Sequence, residues 1–292
     1  MKAAFVTGIE KVEIKEIDKP VISDTEVLIK TKTVGVCGSD LHLFRGTHPF
    51  RHAPAILGHE IAGDVVEIGS KVTNIKVGDR VTVEPQVGCG ECEMCKRGLV
   101  SLCSGKKVPG TPEWIGAFSE YFNADEKTVY KLADQTSYEM GTLAEPLAVA
   151  VHTVNHAETR TGGLVILGAG TIGQLILAVA RKRGYSPIIV TDTAAFNREF
   201  AVKHGADAAL DPVTENIPEK VKEMTGGRGA DLAIIAAGAD NILDQACECV
   251  HKCGEIGIVA MITNKIPFYC YSVVFSELKI YGAMCYESGD FA

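Results

Sequence analysis

The sequence predicts an α/β protein of two domains, a β-rich domain over residues 1–145 and a doubly wound parallel-sheet domain over 146–292. Three observations lead to this prediction. The chain has 292 residues, of which 46% are hydrophobic, and this length suits two cores rather than one. Its first half consists of short strand-like segments separated by glycine turns. Its second half alternates apolar strands with helical segments.

Strand-like segments in the first half occur at 26–34, 61–68 and 80–84. They are rich in valine, isoleucine and threonine, residues that favour strands, and Gly78-Asp79 forms a turn before the third. This composition predicts a partly closed β-barrel.

The strand-like pattern ends near Glu145 and a helix is predicted to follow. Pro146 can occupy the first turn of this helix, which continues to residue 157. Apolar strands then follow at 164–167, 188–191, 232–235, 256–260 and 278–281. A helix is predicted at 171–183, between the first two of them. Continuous apolar runs separated by helices are typical of parallel strands that are buried on both faces.

Composition excludes several classes of partner. The net charge is −8 and no long basic run is present, which argues against nucleic acid or an anionic membrane as a partner. The first ten residues turn polar too early for a signal peptide, and no apolar run approaches the ~18 residues that span a bilayer. Ten cysteines without a secretory signal indicate a reducing compartment. We therefore expect a cytoplasmic protein.

Four cysteines are spaced as metal ligands: Cys89, Cys92, Cys95 and Cys103. Thiolates at this spacing can surround a tetrahedral zinc ion with Zn–S bonds of roughly 2.3 Å. An iron–sulfur cluster is the alternative, but its usual motif has three residues before the last cysteine and a proline after it. Here seven residues intervene and Ser104 follows. The spacing favours a structural zinc with no position open to substrate.

A glycine-rich turn follows the first apolar strand of the second half, with the residues Gly168, Gly170, Thr171, Ile172 and Gly173. In dinucleotide-binding folds the first glycine permits a tight turn, the second lets the backbone approach a pyrophosphate, and the third lets helix and strand pack closely. The phosphates would lie at the helix N-terminus, where unpaired N–H groups favour negative charge. The turn therefore predicts a dinucleotide cofactor.

Asp192 lies nineteen residues after Gly173, at the end of the next strand. An acidic residue at this place accepts hydrogen bonds from the adenosine ribose, and its charge repels a 2′-phosphate. NAD is therefore favoured over NADP. Asn197 and Arg198 lie nearby, and Arg198 is a cation that can accept a phosphate.

A second metal site is predicted from motifs far apart in the chain. Cys37, the pair His59-Glu60 and Glu145 supply a thiolate, an imidazole and two carboxylates, which suits a catalytic zinc with three protein ligands and one open position. The motifs Gly-Val-Cys37-Gly-Ser39-Asp40-Leu-His42, Gly58-His59-Glu60 and Glu145-Pro-Leu flank the cysteine cluster and precede the glycine-rich turn. In these motifs, which extend over nearly all of the chain, the sequence resembles the zinc-dependent medium-chain dehydrogenases of the alcohol and polyol branch.

The resemblance implies a GroES-like catalytic domain, a Rossmann domain and named roles for several residues. Cys37, His59 and either Glu60 or Glu145 would bind the catalytic zinc, and a glutamate followed by Pro-Leu is similar to the sorbitol and sugar-alcohol enzymes. Ser39 would take the proton of the substrate hydroxyl, and the proton would pass through the cofactor ribose to His42. Asp40 would orient a ligand.

The implied reaction is NAD-dependent oxidation of a secondary alcohol, a polyol or a sugar-derived acid, to a ketone. The expected partner is a small-molecule alcohol, and we expect a homo-oligomer, either a dimer or a tetramer. L-threonine or simple alcohol dehydrogenation is an alternative. Because family members normally continue beyond the position of Ala292, we also expect the C-terminal part of the usual fold to be missing. An inactive scaffold that binds NAD and zinc is therefore a further alternative.

Overall fold

The computed structural model describes residues 1–292, which divide into two compact units. The first unit contains Met1–Glu145 and Glu287–Ala292, and the second contains Pro146–Tyr286. The strands of the first unit are β1 (Lys2–Gly8), β2 (Lys11–Glu16), β3 (Glu26–Gly35), β4 (Ala55–Ile56), β5 (Glu60–Ile68), β6 (Arg80–Val83), β7 (Tyr121–Asp125) and β8 (Val129–Lys131). Its short helices are α1 (Gly38–Phe44), α2 (Glu93–Lys96), α3 (Tyr138–Thr142) and α10 (Ser288–Phe291).

Two antiparallel sheets form the first unit. One has the order β7-β3-β5-β6-β8, and the other has the order β2-β1-β4. On β3, which lies between β7 and β5, Val27 and Ile29 are fully buried and pack with Val65 of β5 and Phe122 of β7. The apolar residues of these strands therefore bury one face of the larger sheet, as the segments at 26–34, 61–68 and 80–84 predict.

Residues 287–292 belong to the first unit, although the sequence assigned all of 146–292 to the second domain. Glu287 accepts hydrogen bonds from the backbone N–H of Val100 at 2.7 Å and from the Ser101 hydroxyl at 2.6 Å. The hydroxyl of Ser288 donates to Glu84 at 2.8 Å. These contacts join segments about 190 residues apart, which a local pattern does not reveal.

The second unit is built from alternating helices and strands. Helix α4 (Ala144–His156) contains the boundary, and the elements after it are β9 (Gly162–Leu167), α5 (Thr171–Arg183), β10 (Tyr185–Thr191), α6 (Ala195–Lys203), β11 (Ala208–Leu210), α7 (Ile217–Met224), β12 (Ala230–Ile235), α8 (Ile242–Cys249), β13 (Val250–Ile258), α9 (Tyr271–Ser276) and β14 (Lys279–Gly282). All six strands are parallel, in the order β11-β10-β9-β12-β13-β14.

Strand β9 shows why this sheet needs a continuous apolar run. Leu164 and Ile166 lie in the hydrophobic core on one face, whereas Val165 and Leu167 lie in the core on the other. All four are fully buried. Because successive side chains of a strand point to opposite faces, each residue of β9 must be apolar when helices cover both faces.

The strand order is that of a dinucleotide-binding sheet of six strands, with β9 near its centre. The expectation that the C-terminal part of the fold is missing is therefore not borne out, because β14, the sixth strand, is present. None of the helices is both long and apolar enough to cross a membrane.

Candidate active site and metal centres

Three residues from two separate segments of the chain converge in the first unit. Cys37 caps the N-terminus of α1, His59 directly precedes β5, and Glu60 is the first residue of β5. One donor atom from each lies within 4.8 Å of the others. Gly35 pairs with Glu60 across the sheet, and a Cβ at Gly35 would lie 1.9 Å from Oε2 of Glu60. A glycine at this position therefore leaves the space that the Glu60 carboxylate occupies.

Asp40 contacts two members of this group, Cys37 and His59. Its side chain is 4% exposed, Oδ2 accepts a hydrogen bond from the Cys37 N–H at 3.1 Å, and Oδ1 lies 3.6 Å from Nδ1 of His59. Burial opposes ionisation of Asp40, but the contacts with His59, Cys37 and the Gly58 N–H outweigh it and lower its pKa. Asp40 is therefore a buried carboxylate that orients both Cys37 and His59.

The ionisation of His59 and Glu60 depends on the same surroundings. Burial disfavours charge on His59, but Asp40, Cys37 and the charge of Glu145 outweigh it, so the pKa of His59 is raised well above its ordinary value. Burial and the Glu145 carboxylate raise the pKa of Glu60 to about 7. A metal ion that binds here must displace protons from both groups, so its binding releases protons and strengthens as the pH rises.

Glu145 lies in the first turn of α4, and its side chain is 7% exposed. Its charge acts on the pKa of both His59 and Glu60, which places its carboxylate near them. The group of donors within 4.8 Å nevertheless contains Glu60 and not Glu145. One thiolate, one imidazole and one carboxylate form a donor set that suits zinc and leaves a fourth position open.

Ser39 and His42 follow Cys37 on α1, where residues three apart lie on one face of the helix. Nδ1 of His42 lies 2.9 Å from the hydroxyl oxygen of Thr47. Nη2 of Arg51 donates to Oγ of Ser39 at 3.4 Å, and its Nη1 donates to a backbone carbonyl at 3.3 Å. Arg51 was not among the residues predicted from the sequence, since no motif contains it. It brings a positive charge to the Ser39 hydroxyl.

The four cysteines of the second predicted metal site also come together. One Sγ atom from each of Cys89, Cys92, Cys95 and Cys103 lies within 4.8 Å of the others, and the Sγ atoms of Cys89 and Cys95 are 3.9 Å apart. Tetrahedral zinc with Zn–S bonds of roughly 2.3 Å requires an S···S distance of roughly 3.8 Å. Backbone N–H groups of Glu91 and Cys92 lower the pKa of Cys89, which favours a thiolate there. The Gly90 N–H acts likewise on Cys95, but burial and the neighbouring thiols outweigh it and raise the pKa of Cys95. The cluster therefore fits zinc.

The glycine-rich turn joins β9 to α5 in the second unit, and Thr171 and Ile172 are the first residues of α5. Gly168 has φ +109°, and a Cβ on Gly173 would lie 1.9 Å from the carbonyl oxygen of Gly168. No atom lies within 4 Å of the position of a Cβ on Gly170, which caps the N-terminus of α5. The turn therefore combines close packing at two glycines with open space at the third, which fits a bound pyrophosphate.

Asp192 follows β10 and contacts this turn. Its Oδ2 accepts hydrogen bonds from the Ala169 N–H at 2.9 Å and the Asn197 amide at 3.1 Å, and its Oδ1 accepts one from the Ala194 N–H at 2.8 Å. A carboxylate has about four acceptor positions, so roughly one remains for a ribose hydroxyl. The carboxylate is therefore held in a fixed orientation beside the candidate cofactor site.

Arg198 is less available to a phosphate than its position in the sequence indicates. Its guanidinium forms an ion pair with Asp211, with 3.2 Å between Nη2 and Oδ2. Asp211 was not among the residues predicted from the sequence, although it follows the short strand β11 as Asp192 follows β10. The signal that could have identified Asp211 is an acidic residue directly after a second apolar strand.

Comparisons with known proteins agree with this arrangement. Two family models match the chain, an alcohol dehydrogenase GroES-like domain at residues 23–134 and a zinc-binding dehydrogenase at residues 171–292. Sorbitol dehydrogenase from Bacillus subtilis is 37% identical over 293 residues, which cover 99% of this chain and 83% of that protein. The chain belongs to the zinc-dependent medium-chain dehydrogenase family.

Other members of this dehydrogenase family match over similar spans. L-threonine 3-dehydrogenase from Pyrococcus horikoshii is 36% identical, over 92% of this chain and 78% of that protein. A protein from Sinorhizobium meliloti, described as a zinc-binding dehydrogenase and bound to NADP, has a TM-score of 0.92 and is 29% identical, over 99% of this chain and 86% of that one.

Membership of the family confirms the predicted GroES-like and Rossmann folds and the predicted oxidoreductase activity, and the cofactors are zinc and NAD(P). The alternative of an inactive scaffold is not supported. It depended on a missing part of the fold, whereas all six strands of the parallel sheet are present.

Proposed function

We propose that this dehydrogenase transfers a hydride from a secondary alcohol, of polyol or sugar-acid type, to NAD and produces a ketone. The convergence of Cys37, His59 and Glu60 beside the buried carboxylate of Glu145 carries the proposal. The likeness of the chain to sorbitol dehydrogenase supports a polyol as the substrate. In this proposal the first unit is the catalytic zinc-binding domain and the second unit is the NAD-binding domain.

Each cofactor has its own set of residues in this proposal. Cys37, His59 and Glu60 would hold the catalytic zinc, with Glu145 as a nearby carboxylate that can exchange with Glu60. The structural zinc would be held by Cys89, Cys92, Cys95 and Cys103. NAD would be held by Gly168, Gly170, Thr171, Ile172, Gly173 and Asp192.

The residues of α1 would carry the proton. Bound zinc supplies a Lewis acid that lowers the pKa of a substrate hydroxyl, and NAD supplies the hydride acceptor. Ser39 accepts the hydroxyl proton at Oγ, and the positive charge of Arg51 at 3.4 Å favours that oxygen while it loses its own proton. His42, on the same face of the helix, takes up the proton and releases it to solvent.

Arg51 also supports a second candidate substrate. A guanidinium beside the group that accepts the substrate proton favours an alcohol that carries a carboxylate close to its hydroxyl. L-threonine and sugar acids have this feature, whereas simple alcohols and neutral polyols do not. L-threonine dehydrogenation is therefore the second candidate function.

A substrate panel tests both candidates. The zinc-loaded protein is incubated with NAD and, in turn, sorbitol, xylitol, gluconate, L-threonine and ethanol, and NADH is followed by its absorbance. We expect turnover with a polyol or a sugar acid, and none with Cys37→Ser as the matched control. Absence of NADH with every compound would overturn the proposed function.

We further propose a homo-oligomer in the cytoplasm. The outer strand β14 leaves one edge unpaired, and the helix α9 before it exposes Tyr271, Val274 and Phe275. Exposed apolar groups beside a free strand edge favour burial against a second copy of the chain. None of the ten cysteines is in a disulfide, which suits a reducing compartment. Sedimentation velocity is expected to give a dimer or tetramer that Phe275→Glu dissociates, and a monomeric wild type would contradict this.

A further inference from the structure

Arg198 and Asp211 form an ion pair beside the candidate ribose site. Nη2 of Arg198 lies 3.2 Å from Oδ2 of Asp211, and each side chain is 21% exposed. Nη1 of Arg198 donates to the backbone carbonyl oxygens of Asp192 at 2.8 Å and Thr193 at 2.9 Å. Three interactions therefore hold the guanidinium against the backbone at the end of β10.

The sheet brings the two acidic residues together. Strands β10 and β11 are parallel neighbours with Thr191 opposite Leu210, so Asp192 and Asp211 follow at adjacent positions on the same edge. Asp211 is itself fixed, because its Oδ1 accepts a hydrogen bond from the Val213 N–H at 2.9 Å. Glu215 adds a third carboxylate, because its Oε1 accepts a hydrogen bond from the Asp211 N–H at 2.8 Å. Three carboxylates and one guanidinium therefore meet here, and their net charge of −2 disfavours an incoming phosphate.

We infer that Asp211 is a specificity-determining residue for the cofactor, because it binds Arg198 and keeps that cation from a 2′-phosphate. The inference rests on the proposed role of Asp192 at the ribose. Without Asp211 the guanidinium keeps only its carbonyl contacts, and its planar fork matches two phosphate oxygens. Replacement of Asp192 alone removes one negative charge but leaves Arg198 paired.

Binding of 5′-AMP and 2′,5′-ADP to the zinc-loaded protein, measured by calorimetry, tests the inference without turnover. Asp192→Ser alone is expected to tighten 2′,5′-ADP by only roughly threefold, the value of one partly exposed charge. Addition of Asp211→Asn is expected to increase the affinity for 2′,5′-ADP by roughly a further tenfold or more, through a charge-assisted hydrogen bond from Arg198. The amide of Asn still accepts from the Val213 N–H, so the loop is kept.

Removal of the cation separates this mechanism from a simple loss of charge. In the Asp192→Ser/Asp211→Asn background, Arg198→Ala is expected to abolish the gain, whereas in Asp192→Ser alone it changes 2′,5′-ADP affinity less than about twofold. Asp207→Asn is the matched control, because Asp207 pairs with Arg181 at 2.7 Å at the opposite end of β11. It is expected to leave 2′,5′-ADP affinity unchanged.

Each result bears on the inference. An unchanged 2′,5′-ADP affinity in the double variant, or a gain that survives Arg198→Ala, overturns it. If the double variant does not fold, the effect of Arg198→Ala in Asp192→Ser decides, and a loss larger than about twofold overturns the inference. If 5′-AMP binds to the wild type but the selectivity does not change, the inference alone fails. If 5′-AMP does not bind to the wild type, the proposed NAD site fails with it.

Discussion

Asp40 faces His59 across 3.6 Å, measured between Oδ1 and Nδ1, while its other oxygen holds the backbone N–H of Cys37. A single buried carboxylate therefore orients two of the three candidate zinc ligands. Such partners fix the orientation of the imidazole ring and raise its basicity as a ligand. Asp40 thus connects the start of α1 with the start of β5 at the metal site.

Asp40→Asn is expected to weaken binding of the catalytic zinc by about 10- to 100-fold, because the amide keeps the shape of the side chain but loses its charge. Competition with a chelator measures the affinity. Asp64→Asn is the matched control, since Asp64 lies on the same strand, β5, but contacts Tyr138 and Lys32. Equal zinc affinity in wild type and Asp40→Asn would show that Asp40 does not support the site.

His48 is expected to make the stability of the protein depend on pH. The residue is 3% exposed, and its Nδ1 accepts a hydrogen bond from the Arg51 backbone N–H at 3.0 Å. Burial and the positive charge of Arg51 lower the pKa of His48 from 6.5 to about 4. Between these values the unfolded chain binds a proton that the folded chain does not. The contribution is therefore complete above about pH 6.5 and is lost as the pH falls towards 4.

Thermal unfolding of wild type and His48→Gln at pH 5 and pH 7.5 measures this contribution. The wild type is expected to lose about 1–2 kcal/mol more than His48→Gln between the two values, since each pKa unit corresponds to 1.36 kcal/mol. His52→Gln is the control, because His52 is exposed. Parallel pH profiles for wild type and His48→Gln would contradict the prediction.

The two metal sites are expected to respond differently to the loss of one ligand. Cys103 is 3% exposed in the four-cysteine cluster, and Cys103→Ser is expected to remove one zinc ion and much of the stability, because structural zinc contributes directly to folding. Cys37→Ser is expected to abolish turnover and leave the fold nearly intact. Metal content by mass spectrometry and the midpoint of unfolding measure both effects. Iron in the purified protein, or one metal per chain in the wild type, would disprove the two-zinc prediction.

The parallel sheet is predictable from sequence because its requirements are local. A residue such as Val165 must be apolar when both faces of its strand are covered, and the glycine-rich turn follows directly at Gly168. Both signals lie within a few residues of each other. The order of the motifs then indicates the family, and with it the residues proposed for the zinc sites.

Contacts between distant side chains were not predictable in this way. The sequence leaves Glu60 and Glu145 as equal candidates, and the geometry separates them only because the first residue of β5 lies beside Cys37. Arg198 appeared available to a phosphate until its pairing with Asp211 was known. Such pairings depend on the register of neighbouring strands, and composition does not encode register.

The glycine-rich turn permits a test in which two neighbouring glycines give opposite results. Gly173→Ala is expected to destabilise the protein by about 1–3 kcal/mol, because its Cβ would lie 1.9 Å from the backbone oxygen of Gly168 and the helix must shift. Gly170→Ala meets no atom within 4 Å, so its stability is expected to change by less than about 1 kcal/mol. Its methyl group instead occupies the space proposed for the pyrophosphate, and NAD affinity is expected to fall by at least about tenfold.

Thermal unfolding without nucleotide and calorimetric titration with NAD measure the two effects separately. Gly226→Ala is not a suitable control because Gly226 has φ +67°, whereas Gly289→Ala is suitable because no atom lies near its Cβ position and its φ is not positive. Gly289→Ala is expected to change neither property. If Gly170→Ala binds NAD as tightly as the wild type, the phosphates do not approach the backbone at this glycine, and the proposed cofactor position is wrong.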